Sequence, residues 1–103
     1  GNYYNTKEEA EFARQKRLVY QELKKYALEH NTEEIDWENY LQIKYFIYCN
    51  TKSNDLCVMD VSEIKIAGQV YFTSEKIAEN AIKKIGEDRI KKYLFEIGWE
   101  EIE

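Results

Sequence analysis

The chain has 103 residues, 44% of them hydrophobic and 15% aromatic, so it can bury one modest core and is predicted to form a single domain over residues 1–103. Its net charge of −5 disfavours general attraction to nucleic acid or to an anionic membrane. No apolar run approaches the roughly 18 residues of a membrane span, and no leader pattern is visible, so we expect a cytoplasmic protein. The chain begins with Gly1 rather than Met, which fits a processed leader or a natural chain that extends upstream.

A long first helix is predicted from Thr6 to His30. Thr6 and Glu9 form a capping-box pattern, and no Gly or Pro interrupts the stretch that follows. Its larger apolar residues fall in one row and predict a single buried face: Phe12, Val19, Leu23 and Tyr26.

The middle of the chain, residues 36–72, is predicted to contain the sheet. Residues 44–49 and 56–61 have the alternation and the β-branched or aromatic content of strands, and a run of turn formers between them predicts a hairpin. Residues 69–72 predict a third strand, and residues 64–66 suit a short fourth strand or a wide connection.

The last part, residues 74–97, is predicted to be a helical pair. Thr73 or Ser74 can cap a helix over 74–85, Gly86 is a typical helix stop, and a second helix is expected over 87–96.

The fold class is therefore α+β: a three- to four-stranded antiparallel sheet with the long N-terminal helix and two C-terminal helices packed mainly on one face. The residues of the predicted core are apolar and recur at the spacing of one face of their helix or strand. It consists of Val19, Leu23, Ile47, Val58, Ile77, Ala81, Ile82, Ile85, Ile90 and Leu94.

The sequence does not indicate an enzyme, a cofactor or a metal. His30 lies at a predicted helix end without a visible nucleophile or carboxylate partner, and phosphate-binding glycine patterns are absent. Cys49 and Cys57 lack a metal-binding spacing and are expected to be reduced.

The leading functional hypothesis is protein binding, including self-association as a homodimer through the first helix. That helix offers more apolar surface than three strands can cover, and dimerisation would hide the excess. The candidate partner-binding residues are large and apolar: Phe12, Val19, Tyr26, Trp37 and Trp99.

Two alternatives involve nucleic acid. Single strands could stack on the sheet rings of Tyr45, Phe46, Tyr48, Tyr71 and Phe72, beside a basic cluster of Lys83, Lys84, Arg89, Lys91 and Lys92. Alternatively, two acidic clusters could mimic nucleic acid and inhibit a host protein. These are Glu33, Glu34, Asp36 and Glu38, and Glu96, Glu100, Glu101 and Glu103.

Two segments carry a family resemblance: DWENYLQIKYFIYC, from Asp36, and GQVYFTSEKIAENAIKKIGEDRIKKYLF, which ends at Phe95. They resemble small phage- and prophage-encoded proteins of unassigned function, which share a GQVYFxS strand followed by an AxxAIxxIGED helix. The resemblance implies a phage or prophage accessory protein in a bacterial host. It implies no catalytic or binding residues.

Overall fold

The computed structural model describes residues 6–97. Within that range the order is a long helix α1 (Lys7–His30), strands β1 (Lys44–Asn50) and β2 (Asp55–Val61), helix α2 (Glu75–Ile85), and a short helix α3 (Glu87–Arg89) that continues into a π-helical segment (Ile90–Leu94). The α+β class is confirmed. No helix in the described range is long and apolar enough to cross a membrane.

Helix α1 begins where the capping pattern predicts. The Thr6 hydroxyl accepts a hydrogen bond from the Glu9 N–H at 3.0 Å, which satisfies one of the free donors of the first turn. At the other end the Asn31 N–H donates to the Ala27 carbonyl at 2.8 Å, and Asn31 itself has extended backbone angles that end the helix.

The predicted hairpin is confirmed. Strands β1 and β2 pair antiparallel along seven residues each, with Ile47 opposite Val58. The turn places Asn54 at a φ of 59°, a left-handed conformation that asparagine adopts more readily than most residues, and the Asn54 N–H donates to the Asn50 carbonyl at 2.6 Å.

Within residues 6–97 the sheet has two strands instead of the predicted three or four. Of residues 69–72, only Phe72 pairs with β1, through two hydrogen bonds of 2.9 and 2.8 Å exchanged with Tyr45. The pairing stops because helix α2 is capped just beyond Phe72, while the Tyr71 hydroxyl bonds to both backbone groups of Ile66 and curls the chain before it. Residues 64–66 form no strand.

Helix α2 matches its prediction, and the last helix forms within the predicted range but with a different geometry. The Ser74 hydroxyl accepts from the Ile77 N–H at 3.1 Å, and Gly86, at a φ of 112°, ends α2 in a conformation that side chains disfavour. In place of one helix over 87–96, three α-helical residues lead into the wider π-helical turn. Three consecutive side chains at the end of this turn pack against the core: Tyr93, Leu94 and Phe95.

The core lies where the apolar faces of the helices meet one face of the hairpin. Helix α2 contacts both strands, and α1 packs on α2 and on the π-helical segment. All ten predicted core residues are in this cluster or packed against it. Six are buried: Val19, Leu23, Ile47, Ala81, Ile85 and Ile90.

An aspartate at the centre of this core tests the packing. We expect Ala81→Asp to lower the free energy of unfolding by several kcal/mol, because Ala81 is fully buried and an unpaired carboxylate is costly there. Lys76→Asp is the matched control, since it adds the same carboxylate at an exposed position in the first turn of α2. Equal urea-unfolding midpoints for the two variants would contradict the packing.

An ion pair joins α1 to the C-terminal helices. The Arg89 guanidinium donates to both oxygens of Glu22, at 3.0 and 2.7 Å, and also to the Ile85 carbonyl at 3.1 Å. These hydrogen bonds hold the pKa of Glu22 below its ordinary value of 4.5. A carboxylate whose pKa is lowered by folding stabilises the folded state at pH values above its ordinary pKa. This stabilisation is lost as the pH falls through the lowered pKa.

We therefore expect Glu22→Gln to be less stable than the parent at pH 7, by less than about 1 kcal/mol because the pair is partly exposed. The difference should shrink as the pH falls below 4.5. Chemical unfolding at several pH values measures it, with the exposed Glu29→Gln on the same helix as control. A difference that grows on acidification would be inconsistent with this ion pair.

Candidate functional site

A fully buried lysine stands at the start of β1. The Lys44 ammonium donates to the carbonyls of Asn39 and Ser62, at 2.9 and 3.0 Å, and lies 5.0 Å from the centre of the Trp37 ring. Carbonyl oxygens and an aromatic face replace part of its lost hydration. Lys44 thereby holds the chain before β1 and the chain after β2 side by side.

An aromatic group covers the hairpin face that points away from the helices. Side chains alternate along β1, so Phe46 points away from the helical core that contains Ile47. Tyr71 contacts Phe46 at 6.0 Å between ring centres, and the Trp37 ring meets Tyr71 edge-on at 4.7 Å. Phe46 and Tyr71 are buried by these contacts, which makes the group a second, smaller core.

Exposed apolar side chains are concentrated in the two segments that Lys44 joins. We call them the open-end patch, because they lie at the end of the hairpin opposite its turn. Its members are Tyr40, Leu41, Ile43, Ile64 and Ile66, between 39% and 93% exposed. Among residues 6–97 only two further large apolar residues are comparably exposed, Leu28 and Met59. Large exposed apolar patches mark interaction surfaces.

An acidic pocket opens beside Trp37, on the connector between α1 and β1. It encloses about 490 Å³ and is lined by Glu33, Glu34, Ile35, Asp36, Trp37, Glu38, Asn39 and Gln42. The buried Gln42 amide fixes its wall: it donates to the Glu33 carboxylate and the Glu34 carbonyl, and accepts from the Asp36 N–H at 2.7 Å. The carboxylates of this connector therefore sit on an ordered loop.

The structure separates the residues that the sequence suggested for partner binding. Phe12 and Val19 are buried within one chain, Phe12 against the Tyr93 ring at 5.1 Å. Tyr26 is half-buried and stacks on His30 at 4.0 Å. Trp37 lies in the aromatic group next to Lys44. Trp99 is outside the described residues.

Sequence reasoning missed the open-end patch. The available signals were Leu41 and Ile43, which precede β1 in an irregular segment, and Ile64 and Ile66, which read equally well as an edge strand. The exposure of Ile64 and Ile66 follows from the absence of strand pairing at 64–66 and could not be read from the pattern.

Most of the rings suggested for base stacking are packed within the chain, and base stacking stays a prediction. Phe46, Tyr71 and Phe72 are buried, and Tyr45 packs against the helical core. Of the basic cluster, Arg89 pairs with Glu22 and Lys91 pairs with Glu87 at 3.2 Å.

Of the two acidic clusters that mimicry requires, residues 6–97 contain the connector cluster and Glu96. The connector acids are exposed, and Glu96 is exposed with its carboxylate 3.6 Å from the Lys16 ammonium. The remaining tail acids Glu100, Glu101 and Glu103 lie outside the described residues. Mimicry therefore stays a prediction.

Both cysteines are free thiols. The hairpin register places Cys49 opposite Leu56 and Cys57 opposite Tyr48, so the two thiols point to opposite faces of the hairpin. Burial raises the pKa of the Cys49 thiol, which makes it a weaker nucleophile at neutral pH. In the described part of the chain no group of three His, Cys, Asp or Glu side chains is placed to hold a metal ion.

Replacement of the buried lysine tests its role in holding the patch. Lys44→Met should lower the free energy of unfolding by roughly 2–3 kcal/mol, because two partly buried carbonyls lose a charged donor. Lys65→Met is the matched control: the Lys65 ammonium also faces Trp37, at 5.7 Å, but its residue is exposed. Thermal and urea unfolding measure both; similar losses would show that the carbonyl contacts do not matter.

Comparison with known proteins finds no family model, no curated protein and no solved structure that matches this chain. The resemblance to small phage-encoded proteins therefore stays a prediction based on residues 36–95. The function has to be argued from the geometry of the chain itself.

Proposed function

We propose that this chain is a non-enzymatic protein-binding domain whose contact surface is the open-end patch. The observation that carries the proposal is the concentration of exposed apolar side chains in two neighbouring segments, with Leu41 at 93% and Ile64 at 65% exposure. Their burial by a partner would be favourable by about 25 cal/mol per Å² of apolar area before the costs of association.

The support beneath the patch favours recognition by a preformed surface. Lys44 bonds the backbone of both patch segments, and the Leu41 N–H donates to the Asn39 side chain at 3.0 Å. A segment already held in place loses less conformational entropy when it binds, so more of the contact energy remains as affinity.

The charges near the patch specify the chemistry of the partner. Glu33, Glu34, Asp36 and Glu38 lie on the connector that leads into the patch, and all four are exposed. A partner surface with apolar residues and flanking Lys or Arg would complement both features. Exposed charge pairs are screened by salt, so this part of the affinity should fall as ionic strength rises.

The resemblance to small phage and prophage proteins adds a biological setting to the proposal. In that setting the chain is an accessory protein in the cytoplasm of a bacterial host, and its partner is a host or phage protein with a basic and apolar surface.

Capture from a bacterial host lysate tests the patch. The double variant Leu41→Ser/Ile64→Ser should lose proteins that the parent chain retains. Leu28→Ser, which removes an apolar residue that is 78% exposed on α1, should retain them. Quantitative mass spectrometry of the three eluates measures the difference, and circular dichroism checks that each variant is folded.

A captured protein would then be purified and titrated at low and high salt. We expect binding to the parent and to Leu28→Ser that weakens with salt, and at least tenfold weaker binding to the double variant, since hot-spot truncations commonly cost about 1.4 kcal/mol or more. Equal binding by all three chains would rule out the open-end patch.

A further inference from the structure

Strand β2 has a free edge whose hydrogen-bonding groups can be assigned from the pairing of β1. The Tyr45 N–H and carbonyl both bond to Phe72, so they point away from β2. In an antiparallel pair, residues that bond across the ladder alternate with residues that do not. Tyr45 and Asp60 are therefore a non-bonded pair, and the bonded pairs include Phe46 with Met59 and Tyr48 with Cys57.

The same alternation identifies the groups on the outer edge of β2. The backbone of Cys57 and Met59 faces β1, so the backbone of Leu56, Val58 and Asp60 faces outward. These three residues present three N–H groups and three carbonyls. Within residues 6–97, β2 pairs with no strand other than β1.

This edge lacks most of the features by which proteins block strand addition. Such features include prolines, charged side chains (lysine above all), bulges and very short edge strands. The charged side chains of this strand are Asp55 and Asp60. Strand β2, DLCVMDV, has seven residues, contains neither Pro nor Lys, and keeps an unbroken register with β1.

We propose that a second copy of this chain pairs with the first through β2, antiparallel, about a two-fold axis at Val58. In this register Val58 faces its own counterpart, and Leu56 faces Asp60 of the second copy on both sides of the axis. All six outward groups of each strand are then satisfied, giving six hydrogen bonds between the copies. Shifting the register by two residues in either direction leaves some of them unpaired.

The side chains agree with this register. Asp60 lies opposite Leu56 of the second copy, and the next pair of residues brings Asp55 opposite Val61, so no carboxylates face each other. Cys57 lies opposite Met59, which is 43% exposed in the single chain and would be covered. A parallel in-register pairing would instead place each aspartate beside its counterpart, which is unfavourable. The charge pattern therefore selects the antiparallel arrangement.

This interface differs from the dimer that the sequence suggested. The first helix buries Phe12 and Val19 within its own chain, whereas the β2 edge uses backbone groups that no other strand pairs within residues 6–97. The inference is also independent of the open-end patch, because the patch lies outside β2.

Sedimentation of the full chain over a wide concentration range tests the pairing with matched variants. The parent and Asp60→Ala should form a concentration-dependent dimer. Asp60→Pro should remain monomeric, because it removes the outward N–H while the inward groups of β2 stay intact. A monomeric parent would overturn the proposal, as would a dimer of Asp60→Pro or loss of the dimer in Asp60→Ala.

Amide hydrogen exchange of the unmodified chain provides a second test that does not depend on folding of the proline variant. At high concentration the amides of Leu56, Val58 and Asp60 should exchange more slowly than in dilute solution, while those of Cys57 and Met59 should not change. Uniform slowing along β2, or no slowing at the three outward amides, would overturn the strand pairing.

Discussion

The arrangement of the two segments that carry the open-end patch depends on the hydrogen bonds of the Lys44 ammonium. A buried charge costs several kcal/mol unless polar groups replace its water, and here two carbonyls and the Trp37 ring do so. Because those carbonyls belong to residues before β1 and after β2, one side chain holds both segments of the open-end patch. An apolar residue at this position could fill the space but could not bind the two carbonyls.

The side-chain amide of Asn31, at the end of α1, likewise holds a distant segment of the chain in place through hydrogen bonds to its backbone. The Asn31 amide donates to the Tyr71 carbonyl at 3.1 Å and accepts from the Thr73 N–H at 3.0 Å, on the side of this segment away from β1. Phe72 between them bonds to β1. The end of α1 thus takes the place of a neighbouring strand, and this joins α1, the hairpin and the start of α2.

These contacts explain why the surfaces available for association are on the hairpin. The long helix buries its apolar face against α2 and the π-helical segment, so Phe12 and Val19 serve the interior. In the part of the chain that the structure describes, the sheet has two strands, with an apolar surface at its open end and an outer edge of β2 that no other strand pairs. The proposed protein binding at the open end and the proposed self-association along β2 would use different chemistry, apolar burial at one and strand pairing at the other.

The sequence by itself determined the elements that depend on local chemistry. The Thr6 cap, a cap at Thr73 or Ser74, the break at Gly86, the hairpin and all ten core positions follow from side-chain type and period, which act over a few residues. Only the tertiary structure decided that Phe72 alone, of residues 69–72, pairs with β1. It also decided where the C-terminal helix widens and which apolar residues stay exposed. Those outcomes depend on contacts between residues distant in sequence, such as Lys44 with Ser62, which no local pattern encodes.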